Sequence, residues 1–200
     1  MIKVTHYSGD RIGGAARAAT RLHRALNQNE DVDSRMVVAE RLDDDYTIEE
    51  LDKGVPGKLN AMFKAGIDGL PRRLAWNADS TPRSAGWAAK LTAKAVDSNA
   101  SDIAHLHWIN GGFLSVEEIG KITKPIVWTF HDMWPFCGAE HLAPDTENAR
   151  WKVGYNRPNE IKGFDFDRWT WKRKKAHWLK PFHIVAPSSW MAECVSNSEM

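Results

Sequence analysis

Residues 126–130 form a short apolar run, Ile-Val-Trp-Thr-Phe, opened by Pro125 and followed without a spacer by His131 and Asp132. A run this short, rich in β-branched and aromatic residues, is a buried strand rather than a helix. Pro135 then forbids a helix, so an imidazole and a carboxylate stand on a loop that leaves the strand's carboxyl end. Similar runs recur at residues 2–7, 35–39, 102–108 and 182–186, with helical patterns between them. Strands alternating with helices predict an α/β sandwich built on parallel units, in which ligands bind at the carboxyl edge of the sheet.

Near the amino terminus the first strand gives way to the turn Ser8-Gly-Asp-Arg-Ile-Gly-Gly14 and then to a helix over 15–27, with alanines and leucines at helical spacing and Arg17, Arg21 and Arg24 between them. Gly13 and Gly14 therefore stand at a helix amino end, where unpaired amides suit a phosphate or carboxylate. A tight turn with no ligand explains the same pair, and both readings stay open. The spacing Gly9, Gly13, Gly14 is not the dinucleotide fingerprint, and the lysine of a P-loop is missing. NAD-dependent oxidoreductase chemistry is correspondingly disfavoured.

Two hundred residues suit one domain with a sizeable core. A net charge of +1 and a pI near 7.8 give no overall attraction to nucleic acid or to a membrane. Cys137 and Cys194 make no disulfide framework, the start is no signal peptide, and nothing approaches the about 20 apolar residues of a membrane span. These features predict a soluble, cytoplasmic chain. Six of the ten tryptophans fall between Trp128 and Trp178, which suits both a core and a sugar-facing surface.

Elsewhere, the acidic stretch 43–50 reads as a solvated loop and helix start. Residues 56–76 carry Leu59, Met62, Phe63, Ile67, Leu70 and Leu74 among lysines and arginines. A helix packed on its own sheet is the expected reading, and a basic amphipathic segment meeting a membrane or a lipid-linked substrate is the alternative. A small-residue helix is expected over 87–96, and another over 114–122. In the strand 102–108, His105 and His107 share one face and precede Asn110-Gly-Gly112, which directs His107 towards the site. Residues 137–167 form an irregular region. Its Cys137, Glu140 and His141, with His131, are too thin a set to predict a metal. The basic run Lys172-Arg-Lys-Lys175, on a helix over 169–178, reads as a solvated face. A last strand leads to Ser188, the N-cap of a final helix.

Taken together, four stretches (13–23, 105–114, 125–136 and 185–190) resemble the amino-terminal domain of family 4 glycosyltransferases of GT-B architecture. The likeness is closest to bacterial enzymes that build exopolysaccharide and O-antigen chains. It implies a Rossmann-like three-layer sandwich with a mostly parallel sheet, and a retaining transferase of hexosyl type that uses a nucleotide-sugar donor and no metal or other cofactor. By matching position, Gly13, Gly14 and Arg17 would meet the donor phosphates, His131 would contact the donor sugar, and Asp132 would orient the loop or the acceptor hydroxyl. His107, Asn110 and Trp134 would face acceptor or sugar. Related sequences often carry a cysteine-rich segment after the His-Asp-Met-Trp loop, of which Cys137 and His141 remain. The family's donor-binding glutamates belong to a second domain, so residues 1–200 are expected to be the acceptor-side half, inactive alone, with the C-terminal domain absent. The saccharide or lipid-linked acceptor leaves peripheral contact with the inner membrane open. A stand-alone sugar- or nucleotide-binding module, or one part of a two-chain transferase, is the alternative.

Overall fold

Seven residues of extended chain, Ile2–Ser8 (β1), lie at the centre of a six-stranded sheet in the order β3-β2-β1-β4-β5-β6, in which every pairing is parallel. The other strands are Val32–Val38 (β2), Ile48–Glu50 (β3), Ile103–Leu106 (β4), Ile126–Thr129 (β5) and His183–Val185 (β6). Helices Gly14–Leu26 (α1), Gly54–Asp68 (α2), Ala93–Ser98 (α3), Val116–Lys121 (α4), Arg150–Val153 (α5), Phe166–His177 (α6) and Ser189–Ser196 (α7) complete the described elements. The computed structural model describes residues 1–10, 12–41, 44–51, 54–70, 80–156 and 163–200.

Strand order reverses between β1 and β4, so right-handed crossovers place α1 on one face and α4 on the other. The alternation of β2 records both faces. Met36 and Val38 pack with Ala19 of α1 and Ile48, whereas Val37 joins Tyr7, Leu106, Trp128, Val96 and Ile119 in the larger core. This is the α/β sandwich expected from the strand-helix alternation, in the Rossmann-like three-layer form that the resemblance implies. Short helices are held by their caps: Thr92 Oγ1 accepts from the Ala95 amide, Ser115 Oγ from Glu118, and Ser188 Oγ from Met191. Each such cap contributes about 1 kcal/mol.

Four expectations need correction. Residues 48–50 extend as β3 instead of starting a helix, because the free edge of β2 offers backbone partners and Ile48 is buried against Ala19. Of the predicted helix 87–96 only residues 93–96 are helical, as the start of Ala93–Ser98; the Lys90 and Leu91 amides donate instead to the carbonyl of Phe113. The basic run is not a solvated face. Lys174 is fully buried and Arg173 pairs with Glu117 while donating to the carbonyls of Ala85 and Gly86. Lastly, α2 does not lay its apolar residues on the sheet: Leu59, Met62 and Phe63 are 62, 73 and 65 % exposed. Asp68 holds the other side of this helix to the body, accepting from the Trp87 amide at 2.6 Å and the Ala88 amide at 3.1 Å. Leu74 and the neighbouring Arg72 and Arg73 lie outside the described residues.

Candidate functional site

Parallel pairing brings the loops after β1, β4 and β5 to one edge of the sheet, at the point where strand order reverses. The first two touch. The Gly9 amide donates to the Trp108 carbonyl at 2.6 Å, and a Cβ on Gly9 would come within 2.8 Å of Phe113 Cβ. A glycine is what lets the two loops meet. Beyond it Asp10 turns back over α1, where its carboxylate accepts from the Gly13 amide at 3.2 Å and the Ala16 amide at 3.3 Å. A Cβ at Gly13 would lie 2.3 Å from Asp10 Oδ2, so this capping itself requires glycine there. Gly14 is exposed with open space around it, and Arg17, one turn on, lines a cavity of about 340 Å³ with Asp10, Arg21 and Arg41.

On the α1 face of the sheet the side chains of β1, β4 and the loop after β5 form a column of imidazoles. His6 is in register with His105, and the His105 and His107 rings are stacked 4.3 Å apart. His6 Nδ1 lies 3.0 Å from His107 Nε2, and His107 Nδ1 lies 3.0 Å from His131 Nε2. His105 Nε2 is 2.9 Å from Thr129 Oγ1. His6, His105 and His107 are buried, while His131 is half-buried at the mouth. Burial lowers the pKa of His6 to about 3 and of His105 to about 4, and lowers that of His107 further, so all three are neutral. Burial also lowers the pKa of His131, against the opposing charges of Asp132 and Asp10.

Ligand nitrogens of His6, His105 and His107 come within 4.8 Å of one another. The geometry suits hydrogen bonding better than metal binding. The 3.0 Å separation of His6 Nδ1 and His107 Nε2 is that of an N–H···N bond, and His105 Nε2 is already engaged by Thr129 Oγ1. Among the described residues Cys137, Glu140 and His141 do not gather into a ligand set.

Around the mouth a second network forms. His141 Nδ1 is 2.7 Å from Asp132 Oδ2, and its Nε2 is 2.8 Å from Ser84 Oγ and 3.5 Å from Asn110 Nδ2. Asp132 Oδ1 accepts from the Trp134 amide at 2.9 Å. Asn110 is buried, and its Oδ1 has no partner among the described residues. Trp134 is 1 % exposed, with its indole N–H on the Ser84 carbonyl, and so supports the loop from below with no open face. Lys174 sits beneath the same loop, donating to the carbonyls of Trp134, Cys137 and Gly138 and lying 3.7 Å from the centre of the Trp134 indole. Burial lowers its pKa to about 7.

His107, His131, Asp132 and Asn110 thus come together, with Asp10 linking them to the glycine turn. Arg17 and Gly14 lie on the same edge, and Trp134 is behind it. Sequence reasoning passed over His6, Ser84 and Asp10 as site residues and weighed His141 only as a metal ligand, not as the partner of Asp132. For His6 a signal was present, since it aligns with the His-x-His of the neighbouring strand once the register is known.

A doubly wound parallel sheet with a polar cluster at its reversal point defines a ligand-binding α/β domain. The chain matches the family described as Glycosyltransferase Family 4 over residues 12–198, and it belongs to that family as a glycosyltransferase-type domain. Comparison with curated proteins and with solved structures gives no match.

Proposed function

We propose that this chain is the acceptor-side half of a retaining GT-B glycosyltransferase, moving a hexosyl group from a nucleotide-sugar to a saccharide or lipid-linked acceptor in polysaccharide biosynthesis. The observation that carries this reading is the edge shared by the glycine turn and His131, with Asp10 close enough to both to cap one and act electrostatically on the other. Departure of a nucleoside diphosphate needs charge stabilisation, for which the α1 amides, Arg17 and a donor on His131 are suited. Asp132, committed to His141 and the loop, fits an orienting role. His107 and Asn110 stand behind the acceptor side. The donor's nucleotide would be held chiefly by a second α/β domain.

Support for a lipid-linked acceptor comes from α2. At about 3.6 residues per turn, Leu59 and Phe63 lie opposite the Asp68 side that is tied to the body. Its backbone also presses on the Asn110 turn, where a Cβ on Gly112 would sit 3.0 Å from the Lys64 carbonyl carbon. An outward apolar stripe beside the proposed acceptor side suits peripheral contact with a membrane. Among the described residues no helix is long and apolar enough to cross one.

A second reading, a non-catalytic binding module or one part of a two-chain transferase, draws on Asp10, which already fills two of the amides a phosphate would use. Titrating UDP-, GDP- and ADP-sugars while recording amide and imidazole NMR signals separates the two. The transferase reading expects weak binding that moves Gly14 and His131 together. Tight stoichiometric binding would reject the acceptor-side assignment, and shifts that leave both residues unmoved would reject the site.

A further inference from the structure

His6, His107 and His131 are joined end to end, Nδ1 to Nε2 and Nδ1 to Nε2, by contacts of 3.0 Å each. A neutral imidazole has one N–H and one lone pair, so the tautomer of any ring in this row dictates that of the others. Two arrangements are possible. If His131 donates inward from Nε2, His107 must donate from Nε2 to His6, and His6 is left with an N–H on its own Nε2. If the row runs outward, His6 Nδ1–H donates to His107 Nε2, His107 Nδ1–H donates to His131 Nε2, and His131 carries its proton on Nδ1.

The burial of His6 selects the outward order. His6 is fully buried and its Nε2 has no partner among the described residues, so the inward order strands an N–H in the interior, the rarer kind of defect. The outward order strands only a lone pair.

We propose that His6 and His107 are positioning residues that lock His131 in the Nδ1–H form, giving the site a neutral hydrogen-bond donor and no basic nitrogen. Its Nε2 lone pair is occupied by His107, so His131 does not take the proton of an acceptor hydroxyl. What it offers suits an oxygen: a sugar hydroxyl, or a phosphate oxygen on which charge grows as the bond to the sugar breaks. This ligand assignment rests on the reading above; the tautomer does not.

Long-range ¹⁵N–¹H correlation spectra of the ¹⁵N-labelled chain without ligand, at pH 7.5, read the tautomer ring by ring. The expected result is Nδ1–H at His6, His107 and His131, with couplings across the hydrogen bonds from His6 Nδ1 to His107 Nε2 and from His107 Nδ1 to His131 Nε2. Nε2–H at His131, or missing couplings, overturns the proposal, and neither result depends on a variant folding. His107→Asn keeps a donor near the place of Nδ1 and is expected to preserve the His131 form. His107→Leu removes it and should return His131 to Nε2–H, the form imidazole prefers in water. An unchanged His131 in folded His107→Leu would remove the positioning role. Because these spectra need no sugar nucleotide, their failure is distinct from failure of the transferase reading.

Discussion

Nδ1 of His141 lies 2.7 Å from Oδ2 of Asp132, nine residues earlier, and ties the two ends of the loop after β5 together. The other carboxylate oxygen accepts the Trp134 amide, so both oxygens hold the loop and protonation of either would weaken one of its ties. Asp132→Asn retains an oxygen for the Trp134 amide and loses the charged acceptor facing His141. It is expected to lower the unfolding free energy by about 1–3 kcal/mol in urea titrations. An unchanged stability would leave Asp132 free to act as a base.

Acid should unfold this domain through its interior histidines. His6, His105 and His107 have folded pKa values below the ordinary 6.5. The unfolded chain therefore takes up protons that the folded chain refuses. Stability from this source is complete above pH 6.5 and is lost as the pH falls from there through about 4 for His105 and about 3 for His6. At pH 5.5 the expected loss is on the order of 4 kcal/mol relative to pH 7.5, shared among the three rings. Denaturant midpoints across that range check it, and a fall below about 1 kcal/mol would mean that the interior rings are already charged.

How much of this was visible beforehand depended on whether a feature is local. The strand ending in His131 and Asp132, the glycine turn and the Ser188 cap are short-range patterns, and each occurs where it was expected. His6 and His107 are 101 residues apart and meet only because β1 and β4 pair in one register. No periodicity within either strand contains that information. The stripe on α2 was legible as a stripe, but which side faces the body is settled by Asp68 and Gly112. β3 escaped notice because an edge strand of three residues needs little beyond a neighbour's free backbone.

Lys174 shows the same limit. Its position in a basic run gives no hint that it turns inward to bind three carbonyls of the 134–138 loop. Lys174→Met fills the space and leaves those carbonyls unpaired, at a cost of about 3 kcal/mol or more. Thermal unfolding should move accordingly, and the shift should be accompanied by a change in tryptophan fluorescence, since the ammonium lies over Trp134. Wild-type stability in the variant would show that the loop holds itself.

Asp10 competes with any anion at the start of α1. Asp10→Asn removes the charge and keeps one oxygen for an amide, so a nucleoside diphosphate meets a helix terminus that no longer carries its own counter-ion. A terminal charge of this kind is worth about 0.3–1 kcal/mol, which predicts about two- to five-fold tighter binding of UDP or ADP by calorimetry. Equal or weaker binding would place the phosphates elsewhere, and with them the role proposed for Gly13, Gly14 and Arg17.

If α2 meets a bilayer, its stripe acts through apolar area and not through contacts with the rest of the chain. Met62 and Phe63 are 73 and 65 % exposed, so Met62→Ser with Phe63→Ser should leave folding within about 0.5 kcal/mol of wild type. Vesicle binding should respond differently. Each side chain withdrawn from the interface forfeits about 1.5 kcal/mol, so co-sedimentation with anionic vesicles should weaken about tenfold per residue. Salt adds the decisive contrast: binding carried by the stripe survives raised ionic strength better than binding carried by lysines and arginines alone, because screening acts on charge and leaves apolar burial almost untouched. A double variant that binds as well as wild type, with salt abolishing both, would move the contact from α2 to the basic residues around it.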